Sequence, residues 1–139
     1  MEDSMSQIIK EIASNLDCGF DSYYNSKTDE IVTIPNFSNF SDEEEFLETF
    51  KVDLKKVTKN KDDYIKIGVL ESFESFKIME LFVDQISEKQ LKYQLEKVLH
   101  NQNPFQNFKY SIENSDYRKS WFEFKKNELE KIVKNRLDD

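Results

Sequence analysis

The sequence predicts an α+β domain: a small three-stranded, mostly antiparallel sheet in the N-terminal half and a C-terminal helical bundle. Three observations carry this expectation. Residues 19–35 read as two short strand-like runs around a turn-rich segment, Asn25-Ser26-Lys27-Thr28-Asp29. Residues 64–70 alternate as a third strand. From residue 72 onward the apolar side chains recur at helical spacing.

The first element is a helix. Met5, Ile8, Ile9, Ile12 and Leu16 share a face over residues 5–16, and the pattern stops near Asp17. In the hairpin, Phe20 and Tyr24 alternate with Asp21 and Tyr23 around Ser22. Ile31, Val32 and Ile34 supply the second strand, and Pro35 ends it because proline has no N–H for the ladder. Ser41-Asp42-Glu43-Glu44 has the form of a capping box, so a helix is expected to about Thr58 with Phe46, Phe50, Leu54 and Val57 as its stripe. The acids Asp42 to Glu45 suit the positive end of that helix. In the third strand Ile65, Ile67 and Val69 point one way, and Tyr64, Lys66 and Gly68 the other.

The helix after residue 72 is apolar on two sides, with Phe76, Met79, Val83 and Ile86 on one and Ile78 and Phe82 on another, so it is expected to be central. Ser87 to Gln90 reads as a second capping box, ahead of Leu91, Leu95, Val98 and Leu99. Asn103-Pro104 is a helix start with Asn as cap and Pro at the first position, followed by Phe105, Phe108 and Ile112. Ser115 is expected to cap a last helix over 116–137. No repeat or linker interrupts the 139 residues, which read as a single domain with an α-β-β-α-β portion at 5–70 and a helical portion at 72–137.

Composition narrows the function classes. Apolar residues make up 37 % and charged residues 35 %, but twelve Phe, six Tyr and one Trp supply enough burying surface for a folded core. With Gly19 and Gly68 as its two glycines, the chain can write neither a P-loop nor a dinucleotide fingerprint. Cys18 is the single cysteine, so neither an internal disulfide nor a thiolate zinc site is expected. Between Asp17 and Asp21 its thiol has no activating partner, and it reads as a small buried hydrophobe. The acidic start Met1-Glu2-Asp3 lacks the pattern of a signal peptide, and no apolar run reaches membrane-span length. A cytoplasmic protein with no membrane role is therefore expected.

The net charge of −8 is uneven. Residues 1–60 hold 6 basic and 13 acidic side chains, residues 61–100 hold 6 and 8, and residues 101–139 hold 8 and 7, giving −7, −2 and +1. An acidic front half repels phosphate backbones and disfavours nucleic acid.

No catalytic constellation stands out. His100, the one histidine, sits at a helix end where a cation suits the dipole. Asp17 with Asp21, and Asp62 with Asp63, lack the alternating oxygen spacing of a calcium loop. Neither metal nor other cofactor is expected, and the chain reads as a non-enzyme.

The stretch that stands out is Phe105, Phe108 and Lys109, then Arg118, Trp121, Phe122 and Phe124. Three readings compete there. In one the rings close the core, and Arg118 lies over them with its head paired to a carboxylate. In another a Trp–Arg–Phe cluster is a protein-binding hot spot. In the third Lys109, Arg118, Lys119, Lys125 and Lys126 hold phosphates while rings stack on bases, although Glu113, Asp116, Glu123 and Glu128 dilute that field.

Met79-Glu80-x-Phe82-Val83, Leu95 with Val98-Leu99, Pro104-Phe105-x-x-Phe108-Lys109 and Arg118-x-x-Trp121-Phe122-x-Phe124 together carry a resemblance. The chain resembles an uncharacterised bacterial protein family of the UPF type, whose function is unknown. The opening hairpin looks like that family's first segment. Where the resemblance leads one to expect a Gly and basic residues around the Pro-Phe turn, this chain has Asn101, Gln102, Gln106 and Asn107. That departure weakens a nucleic-acid reading. The resemblance implies a bacterial, cytosolic protein and supplies no reaction. The leading expectation is a non-enzymatic interaction or regulatory module acting on a protein partner through Phe105, Phe108, Lys109, Arg118, Trp121 and Phe122. Nucleic-acid binding by the C-terminal helices, and an enzyme or small-anion binder built on Arg118, are the alternatives.

Overall fold

The computed structural model describes residues 4–36 and 48–138. Its elements are α1 (Ser4–Asp17), β1 (Phe20–Asn25), β2 (Glu30–Pro35), α2 (Lys51–Lys59), a single 3-10 turn (Lys61–Asp63), β3 (Tyr64–Ile67), α3 (Ser72–Gln85), α4 (Lys89–His100), α5 (Pro104–Glu113) and α6 (Arg118–Asp138). The α+β class holds, as does the α-β-β-α-β order of the first half. The Ser41–Glu44 capping box and Phe46 lie outside the described residues. The chain forms two compact units: Met1–Val69 together with Leu129–Asp139, and Leu70–Glu128. Helix α6 thus contributes its first part to the second unit and its last part to the first.

In the first unit the strand order is β2-β1-β3, antiparallel throughout. Tyr23 stands opposite Val32 on one side and Lys66 on the other. Helix α1 packs on β1 and β2 with Ile8, Ile12, Ala13 and Leu16 buried, while Met5, expected on that face, is exposed. Asn15 Nδ2 donates to Ser22 Oγ at 3.3 Å, which places Ser22 and Tyr24 on the α1 face. On the other face Val32, Ile34 and Val57 form a buried cluster with Tyr23, Leu54 and Tyr64 against it. Helix α2 therefore covers the sheet as Leu54 and Val57 foretold, but a turn at Phe50 separates it from the helical Glu48 and Thr49, so the helix expected to run unbroken to Thr58 is interrupted there.

Two backbone positions make the hairpin possible. Gly19 has φ 89, and its N–H donates to Leu16 O, which ends α1 in the left-handed conformation that glycine adopts without strain. Asp29 has φ 61 and closes the loop from β1 to β2, where the Tyr24 hydroxyl donates to its Oδ1 at 2.8 Å. Asn25 Oδ1 accepts the N–H groups of Lys27 and Thr28.

Strand β3 ends at Ile67, three residues earlier than the alternation implies. Side chains take over from the ladder there. The buried Asp21 carboxylate accepts the Val69 N–H at 2.9 Å, and Arg136 Nη1 donates to Gly68 O at 2.7 Å. Asn36 Nδ2 donates to the same carboxylate at 3.2 Å. Backbone groups that a longer strand would pair are satisfied by a carboxylate and a guanidinium instead.

In the second unit α3 buries Ile78, Met79, Phe82 and Val83, both of its expected faces. Its start is held by Glu74, whose Oε1 accepts the Glu71 N–H at 3.0 Å. Three sequence-derived caps need correction. Ser87 does not cap α4: Glu88 holds the cap position without a side-chain bond. Asn103 does hold the cap position of α5 with Pro104 following, but it sits at φ 52 and its side chain makes no cap bond; Asn107 Nδ2 reaches Gln102 O instead. Ser115 lies two residues further from the last helix than expected, because that helix starts at Arg118 rather than at 116. Its hydroxyl accepts the Tyr117 N–H and donates to Ile112 O, so it tightens the turn between α5 and α6. Cys18, expected buried, is exposed.

Candidate functional site

Helix α6 presents successive residues about 100° apart, so Trp121 and Phe122 cannot share one environment. The structure separates them. Trp121 is 6 % exposed and lies between two other rings of the second unit. Its centroid is 5.3 Å from that of Phe82 and 5.0 Å from that of Phe108, at interplanar angles of 60° and 74°. Phe124 packs on Phe82 at 5.3 Å. Edge-to-face contacts of this kind are a core geometry. Trp121 and Phe108, singled out as binding residues, are thus enclosed.

Phe122 faces out and is 37 % exposed. The Arg118 guanidinium lies over its ring, 4.8 Å from the centroid, and Lys125 Nζ lies 5.9 Å from it. Arg118 is itself exposed, and among the described residues it forms no ion pair. The reading in which these rings close the core holds for Trp121 and is corrected for Phe122, which is exposed; Arg118, one turn away, lies over the Phe122 ring rather than against a carboxylate of the described residues.

Phe105 is 43 % exposed and meets Phe76 edge-on at 6.4 Å. Lys109, one turn along α5, is exposed. The six residues picked from the sequence therefore fall into a buried pair, Phe108 and Trp121, and four surface residues. What sequence reasoning missed is the arrangement around Phe122. Arg118, Lys119, Lys125 and Lys126 stand at i−4, i−3, i+3 and i+4 from it, the positions that flank a residue on a helix surface. The spacing carried that signal, but it shows only once Phe122 is known to face water.

The first unit has its own polar cluster. Glu30 accepts from the Lys56 ammonium and from the Tyr64 hydroxyl, the latter at 2.6 Å. The Lys56 and Tyr64 hydrogen bonds hold the Glu30 carboxyl below the usual carboxylate range. The Glu30 bond pushes the Tyr64 phenol and the Lys56 ammonium up. These groups join α2, β2 and the start of β3. Lys27 and Asp63 form a second tie at 3.0 Å, which gives Asp63 a place in the turn before β3.

Among the described residues no group of three or more His, Cys, Asp or Glu side chains converges as a metal site, and no helix is long and apolar enough to cross a membrane. His100 is exposed at the end of α4. A polar groove of the second unit is lined by Glu88, Gln94, Asn114 and Asp116 among others. Leu91 and Tyr117 supply its apolar lining.

Comparison with known proteins agrees with the resemblance read from the sequence. The model of an uncharacterised protein family, UPF0158, matches residues 3–139. No curated protein and no solved structure matches the chain.

Proposed function

Since the chain belongs to the uncharacterised protein family UPF0158, we propose from the surface of α6 that it is a non-enzymatic interaction module that docks a protein partner on the Phe122 face. The observation that supports this most is the contrast between adjacent rings: Trp121 is 6 % exposed, and Phe122 is 37 % exposed beneath a stacked guanidinium. The core already has its aromatic closure from Phe82, Phe108 and Trp121. Phe122 adds little to it and leaves apolar area in water. Aromatic side chains and Arg are the residue types enriched at binding hot spots. Stacking holds the Arg118–Phe122 pair in place before any partner arrives, so less side-chain freedom is lost on docking.

The test is recovery of a stoichiometric partner from native lysate by the tagged chain. Phe122→Ser and Arg118→Ala should each reduce recovery by about tenfold or more, as hot-spot truncations do. Tyr93→Ser, at a more exposed ring on α4 (60 %), should leave recovery unchanged. All three variants should keep the wild-type circular dichroism. Recovery of no partner, or equal recovery by every variant, would contradict the proposal.

A further inference from the structure

The chain carries a net −8, but the charges around Phe122 have the opposite sign. Arg118, Lys119 and Lys126 are exposed and Lys125 is half-buried with its ammonium near the ring. Glu123, the next residue in sequence, points about 100° away from Phe122 but stands four residues after Lys119 and three before Lys126, at the side of the cation ring. The result is a phenyl ring with cations above and below it along the helix, spanning about 12 Å from Arg118 to Lys126. The Arg118 guanidinium carbon lies 4.8 Å from the ring centroid, and its planar fork of N–H donors suits a carboxylate in paired fashion.

We infer that the element recognised by this face is an acidic protein segment bearing an apolar side chain, whose carboxylates pair with the cations around Phe122 while the apolar group packs on the ring. This inference rests on the interaction reading above. Charge complementarity selects the partner: a basic or neutral segment would leave Arg118, Lys119 and Lys126 crowded around a buried ring, a costly arrangement at an interface. A nucleic acid fits less well. Its affinity comes from a track of phosphate contacts along an extended basic surface. Here the cations are confined to one short ring, flanked by Asp116, Glu123 and Glu128, on a chain whose overall charge repels polyanions. A short acidic segment feels mainly the nearby cations, because screening limits the reach of the rest to about 8–10 Å.

The experiment is a fluorescence anisotropy titration of the whole chain with four labelled probes. They are a short Asp/Glu/Ser peptide with a central Leu, the same peptide with Ser in place of Leu, its Lys/Arg counterpart, and single-stranded oligothymidylate. The Leu-bearing acidic peptide should bind most tightly, and its affinity should fall as salt rises. The Lys119→Glu/Lys126→Glu double variant should weaken it by about tenfold or more, as charge reversal at complementary interfaces does. Phe122→Ser should abolish the advantage of Leu over Ser. Both variants should retain wild-type thermal unfolding, because the residues changed are exposed. Absence of binding, equal binding of the Lys/Arg peptide, or tighter binding of oligothymidylate through the same residues would overturn the inference. A partner recovered from lysate that depends on Phe122 but is not displaced by the acidic Leu peptide would overturn it too, while leaving the interaction role intact.

Discussion

A ring enclosed by other rings and a ring open to water respond differently to truncation, and α6 carries one of each side by side. Trp121→Ala empties the space between Phe82 and Phe108 and should destabilise the second unit by about 3–5 kcal/mol. Phe122→Ser should cost less than about 1 kcal/mol, the range of most surface changes. Urea unfolding followed by circular dichroism separates the two outcomes, because Trp121 is the sole tryptophan and fluorescence is lost with it. By helical spacing alone, Phe122, Leu129 and Ile132 fall on overlapping faces of α6, with Trp121 beside them. Which of two adjacent faces is buried depends on Phe82 and Phe108, which belong to other helices, so α6 alone could not decide it. At Glu30 the prediction concerns pH. Its pKa is lowered in the folded chain, so its bonds to Lys56 and Tyr64 stabilise the fold above the ordinary value of 4.5. That contribution is lost as pH falls through the lower folded value. Glu30→Gln should therefore show a shallower loss of stability below pH 4.5 than the wild type, measured by thermal unfolding across that range.

Elements begin and end where local chemistry allows, and this is where the sequence was least complete. The alternation of Tyr64 to Val69 foretold a strand to residue 70, yet the ladder stops at Ile67. The reason is Asp21, 48 residues earlier, which takes the Val69 N–H. Side-chain bonds over that separation leave no periodic trace. Asp21→Ala should cost about 1–3 kcal/mol, because it leaves the Val69 N–H and the Asn36 amide without their carboxylate. Hydrogen exchange of the Val69 amide should quicken in parallel. Gly19 was legible only as a junction; its φ of 89 makes the requirement specific. Gly19→Ala should cost about 1–2 kcal/mol, the strain of an L side chain in the left-handed region. The capping boxes show the opposite lesson. Ser87 had the right spacing and forms no cap, while Glu71 with Glu74 makes one that an S/T-x-x-E pattern does not describe.

The whole molecule is an acidic chain whose cation-flanked Phe122 lies on a helix shared by two compact units. Residues after Glu128 belong to the first unit, where Leu129 and Val133 are buried and Arg136 holds Gly68 O. Deleting residues 129–139 should therefore unfold the sheet rather than trim a tail, since each lost buried aliphatic is worth about 2–5 kcal/mol. The central claim is that the face around Phe122 is where a partner docks. Site-specific photo-crosslinking from position 122 in the producing cell tests it most directly, with the same crosslinker at Tyr93 as the exposed control. The account predicts one discrete adduct from position 122 and none from position 93. No adduct at 122, or the same pattern from both positions, would contradict it.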